Sequence, residues 1–457
     1  MKMKNKKIIG LVLLTNLILM SSIPSVISIR PIFTSKKLDS DNSNHDPIII
    51  NGNDDFTPEN GVTGGSGTEN DPYIISDWII KGDGVIEYGI SIQNTKAFFI
   101  IHNCTVSGFT TSYSSAIYLF NVINGNIRFT TTYDNDDGIE IWNSSSISIE
   151  NSTSYENHNN FWSSGIKTYN SQFISIKYCI VFNNSMGIRL HDTSDSLISF
   201  ITSFNNEHHG IEIEGKDSKY NLVTYCEIFN NSDYGLILGY DKSGESSYTT
   251  ISNCHIYNNS LTPEIFIGFP GLQIGFLSDN IIENCTIENN GRGLGIGYSN
   301  NNIVRNCTIR NHLFYNSSDG VVLTGGFHPT VIARNNKFIH CDITDNMIGI
   351  SSSGDFRTSF VKNNIRNNSV IGMISAMLCS HRYRYNNIEN NAYLHPQLHD
   401  GMFYFFTFTD ARYNWWGTTD GPKIISYNND VKIEIYLSIF LRRPWLTEPV
   451  PDAGSQR

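Results

Sequence analysis

The chain is poor in charge and in long apolar runs. Only 16% of its 457 residues are Asp, Glu, Lys or Arg, and the acidic ones prevail, giving a net charge of -11. That balance excludes a nucleic-acid partner, whose phosphates would be repelled. It also disfavours a polyanionic glycan unless a cation bridges the two. One apolar run exists, Ile8 to Met20, behind the basic start Lys2, Lys4, Lys6 and Lys7. It is short for a span, which needs about 20 apolar residues. With small residues at Val26 and Ser28, it reads as a cleaved secretion signal over 1–28, the alternative being an uncleaved anchor. No second run is long enough to cross a membrane, so none is expected after cleavage. The chain also has no Cys-x-x-Cys pair and no Met-rich tract, and it matches no lyase or hydrolase catalytic signature residue for residue.

What is present is a repeat. The segment Ile282-Glu283-Asn284-Cys285-Thr286-Ile287 recurs as Val304-Arg305-Asn306-Cys307-Thr308-Ile309 and as Ile251-Ser252-Asn253-Cys254-His255-Ile256. Related copies surround Cys104, Cys179, Cys226 and Cys341, and weaker ones put Thr130, Ser152, Ile201, Asn363 and Asn386 at the cysteine position. Positions 130 and 152, 179 and 201, 285 and 307, and 341 and 363 stand 22 residues apart. Other steps are longer, up to 34 residues between 307 and 341. A constant minimum with variable excess is the mark of coils of fixed circumference with loop insertions. Twelve such positions predict about twelve coils, on the order of 55 Å of stack at the strand spacing.

Each coil has one grammar. A Gly-Ile-x-Ile strand, as in Gly138-Ile139-Glu140-Ile141 and Gly210-Ile211-Glu212-Ile213, sets aliphatic residues on one face. A second strand ends three residues before the cysteine position. Three residues break the two-residue alternation, so a tight turn is required at Asn103, Asn151, Asn253, Asn284 and Asn306. Asn tolerates the left-handed conformation such turns use. The expected fold is all-β: a single-stranded parallel β-helix, a monomeric solenoid over 79–410. A polar lead-in covers 29–46, an N-terminal cap 47–78, and a C-terminal cap and tail 411–457.

The eight cysteines point to disulfides by count but to stacking by position. Cys226, Cys254, Cys285, Cys307 and Cys341 share one place in five consecutive coils. They are expected as a buried ladder of thiols, and the coil spacing also permits one or two bridges.

The pattern resembles the right-handed parallel β-helix repeat proteins of the pectate-lyase-like superfamily. It is most similar to the NosD-type branch, with its carbohydrate-binding and sugar-hydrolysis repeats. Asn414-Trp415-Trp416-Gly417 with Gly421-Pro422, and Gly64-Gly65-Ser66-Gly67 with Asp71-Pro72, look like that branch's end and start motifs. The resemblance implies a fold and leaves the reaction open, because this fold hosts lyases, hydrolases, epimerases and non-enzymes.

Outward positions of the Gly-Ile-x-Ile strands form two columns. One runs Ser91, Tyr118, Glu140, Lys167, Arg189, Glu212, Ile237. The other runs Gln93, Phe120, Trp142, Tyr169, His191, Glu214. Charge and aromatics gather between Glu140 and Glu214, and an insertion at 158–162 brings Phe161 and Trp162 beside them. This is the expected site. Glu140, Lys167, Arg189 and Glu212 are the candidate catalytic residues. In a hydrolase a carboxyl pair acts as acid and base; in a lyase Lys167 or Arg189 takes the proton. Trp142, Tyr169, His191, Glu214 and Trp162 are the candidate sugar contacts, aromatic faces stacking on pyranose rings.

The plain alternative is an exposed ladder of opposite charges, Glu140 against Lys167 and Arg189 against Glu212. Asp136 and Asp137 lie in a run that loosely resembles a calcium loop without its distal Glu, which makes them the candidate ligands of a Ca2+ ion. The NosD resemblance implies a copper accessory role, for which His191, His208 and His209 are the nearest imidazoles. A stalk or adhesin without chemistry is the third class. The expected partner is an extracellular polysaccharide, met in secretion or at the cell surface.

Overall fold

The computed structural model describes residues 43–456 apart from 240–246, 262–267, 315–317, 326–332, 377–378, 392–406, 421–438 and 442. The signal segment, most of the lead-in, and residues 262–267 and 315–317 of two longer insertions, 261–270 and 312–318, lie outside the described residues. No described helix is long and apolar enough to cross a membrane.

Three parallel sheets run the length of the molecule. The first has thirteen strands, from Ile48–Asn51 through Asp137–Trp142 to Ile371–Ala376. The second carries Phe99–His102, Ser145–Glu150 and their equivalents. The third has fourteen, from Ser43–His45 to Asn387–Glu389. Its last twelve strands follow the twelve predicted positions directly. Two more precede them: Trp78–Lys81, and Ser43–His45 from the segment expected to be unstructured. Ile48–Asn51, assigned to the cap, likewise pairs with Tyr88–Thr95 as a coil strand. Among the described residues antiparallel pairing is confined to the N-terminal segment, Val62–Gly64 on Tyr73–Ser76 and the Thr68–Asp71 bridge between them.

Coil-to-coil pairing stacks like on like. Inner columns of Ile, Leu and Val are buried from Ile48 to Ile388. All eight cysteines are buried thiols outside any disulfide. Burial raises the Cys254, Cys285 and Cys341 thiols well above their usual range, so they pack as small apolar groups.

At one corner the stack is held by amides. Asn135, Asn157, Asn184, Asn206, Asn231, Asn259 and Asn290 sit one per coil. From Asn157 onward each Oδ1 accepts from the backbone N–H and the Nδ2 of the Asn one coil before, at 2.8–3.3 Å. His312 then takes the ladder place. Its Nδ1 lies 3.1 Å from the Asn290 backbone N, and burial pushes its pKa down to about 4, so the ring stays neutral. Asn363, Asn386 and Asn414 form a second amide run directly beyond the cysteine ladder.

The predicted tight turns adopt positive φ at Asn103, Asn151, Asn253, Asn284 and Asn306. The same turn is filled in other coils by Phe129, Tyr178, Phe200, Tyr225 and Tyr385, also at positive φ. That conformation costs an aromatic residue roughly 1–2 kcal/mol. Stacking on the next coil offsets it: Tyr178 on Phe200 at 4.8 Å and Phe200 on Tyr225 at 5.0 Å.

Trp415 bridges to Asn387 and donates Nε1–H to Glu389 at the C-terminal end. The tail then doubles back over four coils. Val450 exchanges hydrogen bonds with Asn387, Asp452 pairs with Lys362, Gly454 N donates to Lys362 O, and Ser455 reaches Asp342 and Asn306.

Candidate functional site

The two outward columns are in register as the sequence predicts. Ser91, Tyr118, Glu140, Lys167, Arg189, Glu212 and Ile237 are successive partners, and so are Gln93, Phe120, Trp142, Tyr169, His191 and Glu214. What the sequence does not predict is burial. Glu140, Lys167, Arg189, Glu212 and Glu214 are 6%, 8%, 6%, 1% and 5% exposed. The exposed charge ladder is therefore corrected to a covered ionic cluster.

Rings and the insertion supply the cover. Trp142 stacks on Tyr169 at 4.4 Å, and the Trp162 ring lies 4.5 Å from the Arg189 guanidinium. Asp136 anchors the insertion. Its carboxylate accepts from Asn160 Nδ2 at 2.6 Å, Ser163 Oγ at 2.5 Å and the Tyr113 backbone N–H at 2.6 Å. Trp162 itself stays 46% exposed.

Inside, the charges sort into two groups. Lys167 lies between Asp137 and Glu140, 3.0 Å from the latter. Glu140 also accepts from Trp142 Nε1 at 2.7 Å and Ser115 Oγ at 2.6 Å. Although burial works against its charge, the Asp137 and Glu140 carboxylates hold the Lys167 ammonium above its usual range. Lys167 is thus unfit as a base, and Arg189 stays charged at any working pH. The lyase role imagined for either is corrected accordingly.

In the second group Arg189 donates to Glu214 through Nε at 2.8 Å and through a second guanidinium nitrogen, and to Tyr169 Oη at 2.7 Å. Its Nε stands 3.3 Å from Glu212, outside hydrogen-bond geometry, and Glu212 Oε2 has no hydrogen-bond partner among the described residues. Burial, with Glu214 beside it, pushes Glu212 up to about 7. Glu214 is also pushed up by burial, but the His191 hydrogen bond and Arg189 bring it below its usual value. The same hydrogen bond raises His191.

Carboxyls pushed apart in this way suit an acid and its ionised neighbour. The pair is Glu212 with Glu214. Glu140 and Glu212 stand three coils apart, about 14 Å by strand spacing. The two carboxyls of a glycosidase lie about 5–10 Å apart, so these two do not flank one bond.

The stability consequence has a definite sign. Glu212 releases its proton near 4.5 in an unfolded chain and near 7 when folded. Between those values the folded state keeps a proton that the unfolded state loses, so this residue lowers stability as pH rises through that window. Glu212→Gln is expected to flatten that fall and raise stability at pH 8 by about 1–3 kcal/mol. Melting curves of both proteins at pH 5 and pH 8 check it.

The metal candidates are differently placed. Asp136 is saturated by three donors. Asp137 accepts from the Ser164 backbone N–H at 2.8 Å and pairs with Lys167. His191 turns to Glu214 and Asp192, and His208 to Asp233 at 2.9 Å. Among the described residues no three His, Cys, Asp or Glu side chains gather as a metal site. A surface groove of about 500 Å³ lies elsewhere, on the second sheet beside Tyr178, Phe200 and Tyr225.

The profile of the right handed beta helix region matches residues 88–244 and 240–354, more than half of the chain. The chain belongs to the right-handed β-helix family. No curated protein matches this β-helix by sequence. Solved structures similar to it include the periplasmic alginate epimerase AlgG, 14% identical over 82% of this chain and 85% of that one, TM-score 0.43. The A-module of the Azotobacter vinelandii mannuronan C-5 epimerase AlgE4 is 13% identical, covering 77% and 83%, TM-score 0.37. Pectate lyase Pel9A is 14% identical, covering 82% and 81%, TM-score 0.31. At these identities the likeness to the β-helix is one of fold.

Proposed function

We propose that this β-helix is a secreted or surface-exposed protein that binds extracellular polysaccharide along the wall formed by Trp142, Tyr169 and His191. The observation that carries the reading is Trp162, held out over Arg189 by the Asp136 clamp, with its ring still open to solvent. An exposed indole fixed beside a row of aromatics is the surface that a pyranose ring stacks on.

Charge narrows the polymer. Asp136, Asp137, Glu140, Glu212 and Glu214 line this wall against two permanent cations, Lys167 and Arg189, and both cations are engaged by carboxylates. A polyuronate would meet net negative charge without a free cation at the wall. The glycan that fits is uncharged. Processing of that glycan falls to Glu212, Glu214 and His191, where two neighbouring carboxyls have split proton affinities; the saturation of Glu140 and Lys167 favours positioning roles for them.

Titration of a polysaccharide panel by calorimetry tests the reading, with and without calcium. An uncharged glycan is expected to bind, and Trp162→Ala to weaken it at least tenfold while the melting temperature holds. Unsaturated or reducing ends would add turnover, and their loss in Glu212→Gln would place it. A panel in which only polyuronates bind, or none, removes the reading.

A further inference from the structure

Near its C-terminal end the interior of the solenoid changes character. Elsewhere it is mostly aliphatic, aromatic, thiol, hydroxyl or amide. Here Asp355, Thr358, Ser375, Cys379 and His381 converge within two coils. His381 Nε2 lies 3.0 Å from Asp355 Oδ2, and both side chains are fully buried. The opposite ring nitrogen, Nδ1, lies 3.2 Å from Ser375 Oγ. Ser375 is partly exposed, and its oxygen accepts from Ser352 Oγ at 3.1 Å. Phe360 and Tyr383 meet the imidazole edge-on, at 6.4 and 6.1 Å between centroids, and fix its plane.

Stability alone does not call for this arrangement. A buried ionisable pair is often replaced by apolar residues of similar volume at no loss. A few residues further along the same two strands the core is built from rings instead, with Phe360 stacked between Phe338 and Tyr383. The order of contacts is instead that of a nucleophile, a base and the carboxylate that orients the base, which is recognised by geometry whatever the fold. The serine is the member that solvent reaches.

We propose that Ser375, His381 and Asp355 form a hydrolytic triad for short acyl esters. With Nε2–H donated to Asp355, Nδ1 is left as the acceptor for the Ser375 proton. Ser375 Oγ bonds to the ester carbonyl carbon as its proton passes to Nδ1. The bond from that carbon to the alkoxy oxygen then breaks, and the departing alcohol takes the proton from His381. Water, deprotonated by the same nitrogen, cleaves the acyl-serine to a carboxylic acid and restores the hydroxyl. Asp355 is the positioning residue: it holds the tautomer and does not touch the ester.

The test uses the full chain, a fluorophosphonate probe and p-nitrophenyl acetate. The probe is expected to add its mass to the peptide containing Ser375 in the folded protein and to none in Ser375→Ala. Acetate release should fall at least tenfold in Ser375→Ala and in the isosteric Asp355→Asn. Melting curves of both variants control for folding. An unlabelled wild type, or labelling and turnover that survive Ser375→Ala, overturns the assignment. Glycan binding at Trp162 is independent of either result.

Discussion

Lys167→Met is expected to cost the fold about 3–5 kcal/mol at pH 7, the loss seen when one partner of a buried ion pair is removed. Methionine nearly matches the length of the lysine, so little packing is lost. What goes is the only cation among the described residues in contact with Asp137 and Glu140, two carboxylates that water barely reaches. One of them must then take a proton to stay buried, or the coil must open. Two signatures follow. The loss should shrink as pH falls towards 5, because protonation relieves it. Converting the partners as well, in Lys167→Met with Asp137→Asn and Glu140→Gln, should recover most of the stability. Urea unfolding at pH 5 and pH 7 measures both, and a change below 1 kcal/mol at pH 7 would mean the cluster is wetter than described.

Asn206→Leu should cost about 2–4 kcal/mol although leucine has nearly the same volume and is more apolar. Asn206 Oδ1 accepts from both the backbone N–H and the amide of Asn184, and its own amide donates to Ser203 Oγ and Asn231 Oδ1. Leucine leaves the Asn184 N–H buried without an acceptor, and an orphaned buried donor carries its full desolvation penalty. Each coil is stabilised only by its neighbours, so the break should be local. Hydrogen exchange should accelerate in the coils around residues 184–231 and stay slow near residues 48–101. Uniform acceleration along the chain would show that the solenoid unfolds as one unit and that the ladder is not a set of separable steps.

The sequence carried the fold and the register because both follow from period. A strand alternation of two and a coil of 22 residues place Glu140 beside Lys167 and Cys254 beside Cys285 with no knowledge of packing. Burial of the outward column was not legible. Period tells which side of the wall a residue faces, not whether something lies over that side. The cover depends on how Asp136 ties down residues 160 and 163, and that geometry leaves no periodic trace. Phe161 and Trp162 were placed correctly because an insertion at a known turn has a known address. The asparagine ladder was half visible: Asn was read as turn-former, which it is, while its inward amides look identical in sequence to outward ones. Aromatic residues at left-handed corners broke the Asn rule because stacking across coils outweighs a local backbone cost. Ser375, His381 and Asp355 escaped notice because 20 and 6 residues separate them along the chain, in coils whose repeat is at its most degenerate.

The returning tail has a mechanical consequence. Its bonds to Asn387, Lys362, Asp342 and Asn306 lie in a line along the axis, so tension on the C-terminus loads them one after another, beginning with Ser455 at Asn306 and Asp342 and ending with Val450 at Asn387. A strap loaded this way peels in small steps at low force. Tension between the two ends of the molecule would therefore detach residues 450–455 first and lengthen the chain by a short, reversible amount before any coil unwinds.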